Sequence, residues 1–163
     1  MKGKRALDAM TARRVLLVDD EVTILLTLKA VLEVNGFSVD TAASARDAKH
    51  KLHANEYAMV ITDMRMETDA AGLEVVRAAK LAPNNPAVAV LTAYAPEGED
   101  YSGDGVDELL VKPMNVQQLV NQMEALLISH EDKKQRAMAL AASAALSGGA
   151  HTGDAKPAPA NRK

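Results

Sequence analysis

Three aspartates, a threonine and a lysine in this chain share one context. Each stands where a short apolar run gives way to polar residues. Val15-Leu16-Leu17-Val18 runs into Asp19-Asp20-Glu21, and Met59-Val60-Ile61-Thr62 runs into Asp63. Val88-Ala89-Val90-Leu91 ends at Thr92, and Leu109-Leu110-Val111 at Lys112-Pro113. Brought together, Asp19, Asp20 and Asp63 form a cluster of like charges with Lys112 as the nearby permanent cation. Such carboxylates raise one another's pKa unless a counter-ion is present. A hard divalent ion meets that need, and Mg2+ is typically held by one or two carboxylates with waters and phosphate oxygens. Asp63 then suits the part of a nucleophile toward phosphorus, giving an aspartyl phosphate. The metal and Lys112 would offset the phosphoryl charge, and the Thr92 hydroxyl could hydrogen-bond a phosphoryl oxygen. A single acid after a strand is usually a turn former or helix cap. Four chemically compatible groups at four such ends are a much rarer accident.

These groups meet only if the runs are parallel strands of one sheet. Short apolar runs rich in β-branched residues suit strands buried on both faces, as in parallel sheets. In open α/β sheets the carboxyl ends of the strands are where ligands bind. Between the runs the period turns helical. Ile24, Leu25, Leu28, Val31 and Leu32 make one apolar stripe, which Asn35-Gly36 ends. Residues 37–42 read as a weaker edge strand. Ser44-Ala45-Arg46-Asp47 resembles a capping box opening a helix to about Asn55. Residues 64–71 are expected as a loop and 72–81 as a third helix, stopped by Pro83-Asn84-Asn85-Pro86. Residues 93–105 carry Pro96, Gly98, Gly103 and Gly105 among acids and have little helical pattern. Asn115 can cap a last helix whose apolar face is Val116, Leu119, Val120, Met123 and Leu127. Alternating strands and helices predict right-handed βαβ units in a doubly wound α/β sheet.

Three regions follow. Residues 1–12 are a lead-in, 13–129 the folded domain, and 130–163 a tail that is alanine-rich and then disordered. In the tail a charge run at 131–136 precedes the alanine-rich 137–146, with the composition of a marginal extra helix. Residues 147–163 hold no core-forming residues. The 163 residues contain no cysteine, which removes disulfides, thiolate metal sites and cysteine nucleophiles. A net charge of −3 with one Phe, three Tyr and no Trp argues against a nucleic-acid partner. No apolar run approaches the ~20 residues that span a bilayer, so no membrane insertion and a cytoplasmic location are expected. His50 and His53 stand at i, i+3, but no carboxylate or thiolate set completes a metal site, so they read as solvated surface. Neither a G-x-G-x-x-G nor a P-loop follows the first strand, which argues against nucleotide-binding α/β enzymes.

Val15-Leu16-Leu17-Val18-Asp19-Asp20-Glu21, Ile61-Thr62-Asp63-Met64-Arg65-Met66, Leu91-Thr92-Ala93 and Val111-Lys112-Pro113 together resemble the motifs of the bacterial two-component response-regulator receiver domain. The resemblance covers about residues 13–129. It implies a five-stranded parallel sheet of flavodoxin-like order 2-1-3-4-5, here with a short or irregular fourth helix. It also implies a Mg2+-dependent phosphorelay module that takes a phosphoryl group from a sensor histidine kinase or phosphotransfer protein. By position, Asp63 matches the phosphoacceptor, Asp20 a direct metal ligand and Asp19 a ligand acting largely through water. The Arg65 carbonyl matches the backbone ligand, and Thr92 and Lys112 the phosphoryl-sensing pair. The sequence departs from the family where Pro is common four residues past the phosphoacceptor, a position held here by Glu67. Leu109 stands where an aromatic is expected, and the stretch from Thr92 to Lys112 is about two residues short. Tyr94 and Leu109 therefore mark the switch region. The expectation is a stand-alone receiver, not an enzyme, that acts on an unnamed downstream protein. Two rivals are a phosphorylation-independent binding module of the same fold and a Mg2+-dependent phosphatase. The phosphatase would need a general acid two residues past its nucleophile, where Arg65 stands.

Overall fold

The computed structural model describes residues 13–93, 101–112 and 115–148. Its elements follow the alternation expected from the sequence. Strand β1 (Arg14–Val18) leads to helix α1 (Val22–Val34), β2 (Ser38–Ala42) to α2 (Ala45–Ala54), and β3 (Met59–Asp63) to α3 (Ala71–Leu81). Strand β4 (Ala87–Thr92) precedes a single 3-10 turn (Ser102–Asp104), β5 (Glu108–Val111) and helix α4 (Val116–Gly148). The sheet order is β2-β1-β3-β4-β5 and every pairing is parallel. The chain divides into two compact units at Ile128 and Ser129.

In the first unit the sheet is buried on both faces, and successive residues alternate between two cores. Val15, Leu17, Met59, Ile61, Ala87 and Ala89 pack with Leu25 and Leu32 of α1 and with Leu119, Val120 and Met123 of α4. Leu16, Val18, Val60, Val88 and Val90 pack on the other face with Ala48 and Leu52 of α2 and Val75, Val76 and Ala79 of α3. This period-2 split is what a strand covered on both sides must show. The capping expected at α2 is present: Ser44 Oγ accepts the Asp47 amide at 3.1 Å. Asn115 Oδ1 likewise accepts the Gln117 amide at 2.7 Å, next to the start of α4.

One boundary differs from the sequence reading by far more than a residue or two. Helix α4 does not stop near Ser129, and the alanine-rich stretch is not a separate helix but part of α4, which continues to Gly148. No Gly or Pro interrupts 116–147, alanine is the best helix former, and Asp132 pairs with Arg136 at i, i+4 (3.0 Å). In the second unit the helical residues Met138, Leu140 and Leu146 are exposed. Between β4 and β5 the described residues contain the 3-10 turn and no α-helix, in keeping with the short or irregular helix expected there; residues 94–100, with Tyr94, lie outside the described residues, as do 1–12 and 149–163. The entry to β5 is pinned by Asp107, whose carboxylate accepts from Lys80 Nζ at 2.7 Å and from the Val88 amide at 2.8 Å. Among the described residues no helix is long and apolar enough to cross a membrane.

At the amino end of the sheet Arg14 donates to Asp40 (2.9 Å), and the hydroxyl of the buried Tyr57 donates to the same oxygen (2.8 Å). Burial pushes the Asp40 carboxyl up, but the bonds from Tyr57 and Arg14 outweigh it and hold it below its ordinary value. A lowered folded-state pKa stabilises above the unfolded value and is lost as pH falls through the folded one. Asp40→Asn is therefore expected to lower the urea midpoint at about pH 6 and to narrow its drop toward about pH 3.

Gly72 opens α3 against the end of β3, where an added Cβ would lie 2.4 Å from the Met64 carbonyl oxygen and 2.5 Å from that of Asp63. Backbone cannot yield there as a flexible side chain would. Gly→Ala in a helix ordinarily stabilises by reducing unfolded-state entropy. Gly72→Ala is expected to do the reverse, costing about 2–3 kcal/mol in urea denaturation.

Candidate functional site

Strand register assembles the polar strand ends. Val18 pairs with Thr62, which sets Asp19 beside Asp63. Asp63 pairs with Leu91, so Thr92 stands one residue further along, and Thr92 pairs with Val111, which delivers Lys112. The Lys112 amide also donates to the Thr92 carbonyl at 2.7 Å.

Asp19, Asp20 and Asp63 each offer a carboxylate oxygen, and these oxygens lie within 4.8 Å of one another. Asp19 is buried, Asp63 half-buried and Asp20 exposed, so the cluster is rooted in the core and opens to solvent. Asp19 is held in place, its Oδ1 accepting the Glu21 amide at 2.9 Å. Lys112 Nζ reaches Asp19 Oδ2 at 3.4 Å and Asp63 Oδ2 at 3.9 Å. Among the described residues Lys112 is thus the cation paired with this cluster, reaching two of its three acids.

The surroundings of Asp63 oppose its ionisation on balance. Burial raises its pKa above the ordinary value; Lys112 opposes that and the Asp19 charge adds to it, while the amides of Met64 and Arg65 favour the charged form. The donor set is all hard oxygen, partly solvated, and short of positive charge, which suits a small hard cation.

Of the remaining expected residues, Thr92 and Leu109 are both partly buried, and Leu109 packs against the core on the α2–α3 face. The Arg65 side chain is exposed. Tyr94 and Pro113 lie outside the described residues. His50 and His53 are exposed, and among the described residues no group of three metal-ligating side chains includes them. The contacts of two residues escaped the sequence reading. Gly72 clamps the loop after Asp63, its amide donating to the Met64 carbonyl at 3.2 Å. Glu67 reaches across to α2, its Oε1 accepting the Ala45 amide at 2.8 Å. A glycine at the helix start was the available signal for the first, whereas the second is a contact 22 residues apart.

A carboxyl group whose folded-state pKa is raised favours folding most below its unfolded pKa, and that contribution is lost as pH rises through the folded value. At neutral pH without metal, ionised Asp63 is therefore a net cost to folding despite Lys112. Asp63→Asn is expected to raise the urea midpoint of the metal-free protein at about pH 7 and to leave it less changed near about pH 4.

Comparison with known proteins agrees with this geometry. The model of the response regulator receiver domain family matches residues 15–124. The transcriptional regulatory protein PrrA of Mycobacterium tuberculosis is 33% identical over 120 residues, covering 72% of this chain and 51% of PrrA. The chain thus spans about half the length of the curated relatives it matches. Because such relatives are named as transcriptional regulators, the expectation of no nucleic-acid partner finds no support in them. A CheY-like receiver domain protein from Methanospirillum hungatei superposes with a TM-score of 0.68 at 25% identity, covering 74% of this chain and 98% of that one. The response regulator TrrA of Thermotoga maritima, solved in complex with Mg(2+)-BeF, gives 0.62 at 33% identity over 70% of this chain and 98% of that one. With this match and the parallel 2-1-3-4-5 sheet, the chain belongs to the response regulator receiver domain family.

Proposed function

We propose that this chain accepts a phosphoryl group on Asp63, in a Mg2+-dependent step, from a sensor histidine kinase or phosphotransfer protein. The observation that carries the reading is the meeting of three carboxylates and one lysine at the carboxyl edge of the sheet. Asp19 and Asp20, with Asp63 and the Arg65 carbonyl, are the groups that would hold the ion. Bound there, Mg2+ would neutralise charge on the carboxylates and on the incoming phosphoryl oxygens. Asp63 supplies the attacking oxygen: an O–P bond forms to its carboxylate as the donor's bond to phosphorus breaks. Lys112 stands close enough to Asp63 to compensate the added charge, and Thr92 supplies a hydroxyl for a phosphoryl oxygen.

The phosphorelay unit is taken as residues 13–129, with 1–12 and 130–163 outside the transfer chemistry. The downstream partner is a protein that reads the β4–β5 connection, which Thr92 begins. Leu109 has no ring or hydroxyl to alternate between buried and exposed poses, so the response runs through Thr92 and the segment after it.

A second reading is a protein-binding module of the same fold that works without phosphorylation. Leu109 in the place of an aromatic, and a 3-10 turn where the described residues before β5 hold no α-helix, favour it. The discriminating experiment is intact mass after incubation with Mg2+ and a small phosphodonor. One phosphate per chain is expected on the wild type and none on Asp63→Asn, with the wild-type gain abolished by a chelator. An unchanged wild-type mass would leave the second reading standing, and phosphate on the variant would overturn Asp63 as acceptor.

A further inference from the structure

We infer that Glu67 is a positioning residue for the acidic site, tying the loop after Asp63 to the N-terminus of α2. The inference rests on the reading of that site as a Mg2+ and phosphoryl site.

The loop between β3 and α3 begins at the site itself. The amides of Met64 and Arg65 face the Asp63 carboxylate, and the Arg65 carbonyl is the proposed backbone ligand. Its inner end is well held: Met64 is buried, its carbonyl accepts the Gly72 amide, and Gly72 has no room for a side chain against it. Its outer half is different. Residues 67–70 are exposed, so no burial of apolar surface fixes them, and their placement falls to polar contacts.

Glu67 supplies such a contact to another element. Its Oε1 accepts the Ala45 amide at 2.8 Å, at the first residue of α2. Ser44 already takes the Asp47 amide, so two of the donors left open at this helix start are satisfied, one locally and one from a distance. The carboxylate also lies at the positive end of the helix dipole. Beside it Lys49 and Glu74 pair at 3.2 Å and tie α2 to α3 across a groove of about 400 Å³.

The loop that must present Arg65 is therefore fastened at its base by Gly72 and farther out by Glu67. Apparent affinity falls by the fraction of molecules in the competent arrangement, so a loop released at Glu67 binds its ion more weakly even though no ligand is lost. Glu67 touches neither metal nor phosphate in this scheme. It acts through the backbone of residues 64–66.

The test compares the full chain with Glu67→Ala and Glu67→Gln by calorimetric titration with Mg2+ alone, alongside thermal unfolding and amide exchange at Ala45. The glutamine oxygen can still accept the Ala45 amide; alanine cannot. Glu67→Ala is expected to weaken Mg2+ binding roughly three- to tenfold, the worth of one modest hydrogen bond, and to speed exchange at Ala45. Glu67→Gln is expected to stay within about twofold of the wild type in both. If Glu67→Ala lowers the melting temperature but binds Mg2+ as the wild type does, Glu67 is merely structural and the inference is overturned. If both variants weaken binding alike, charge and not the tether is responsible, which also overturns it. A wild type that binds no Mg2+ would overturn the reading of the acidic site itself, an outcome distinct from the other two because those require wild-type binding.

Discussion

The structure turns on an unbalanced charge. Parallel pairing sets the ends of β1, β3, β4 and β5 side by side, and three aspartates arrive there with one lysine to answer them. Partial burial sharpens the conflict, because removing water from Asp19 and Asp63 strengthens the repulsion as well as the attraction to Lys112. The Asp63 pKa is raised chiefly by burial itself, with the Asp19 charge adding to it and Lys112 opposing it. Such a cluster costs stability, and a cation or phosphoryl group of the proposed kind would relieve it.

The scaffold can bear the cost because its centre is over-determined. Val15 to Val18 and Met59 to Ile61 are essentially inaccessible to solvent, and each alternates between two separate cores. A one-residue slip in either strand would exchange the two faces, so register is strongly specified and the strand ends are carried with it. Around the site, control passes to close backbone approach at Gly72 and to single polar contacts such as that of Glu67 with α2.

The family resemblance is strongest where the chemistry lies and weakest where a signal would leave. The β4–β5 connection has a 3-10 turn before β5, with Gly105 at positive φ and Leu109 half-buried below it. Asp107 and Lys80 secure its far end. In the second unit, the helical residues that α4 contributes owe their form to alanine content and to i, i+4 pairing, since Met138, Leu140 and Leu146 remain exposed.

The sequence by itself determined the element order, the strand limits at Asp63 and Thr92, the caps at Ser44 and Asn115, and the acids and lysine that meet at the sheet edge. Each is a local matter of period, β-branched content or turn chemistry, readable within a few residues. It did not determine where α4 ends, because alanine helices and alanine-rich tails share a composition and only the absence of a break distinguishes them. Tertiary structure alone decided that Lys112 stands nearer Asp19 than Asp63, that Gly72 has no space for a side chain, and that Glu67 caps a helix 22 residues away. Those are distances between elements, fixed by packing and register, and no periodicity along the chain encodes them.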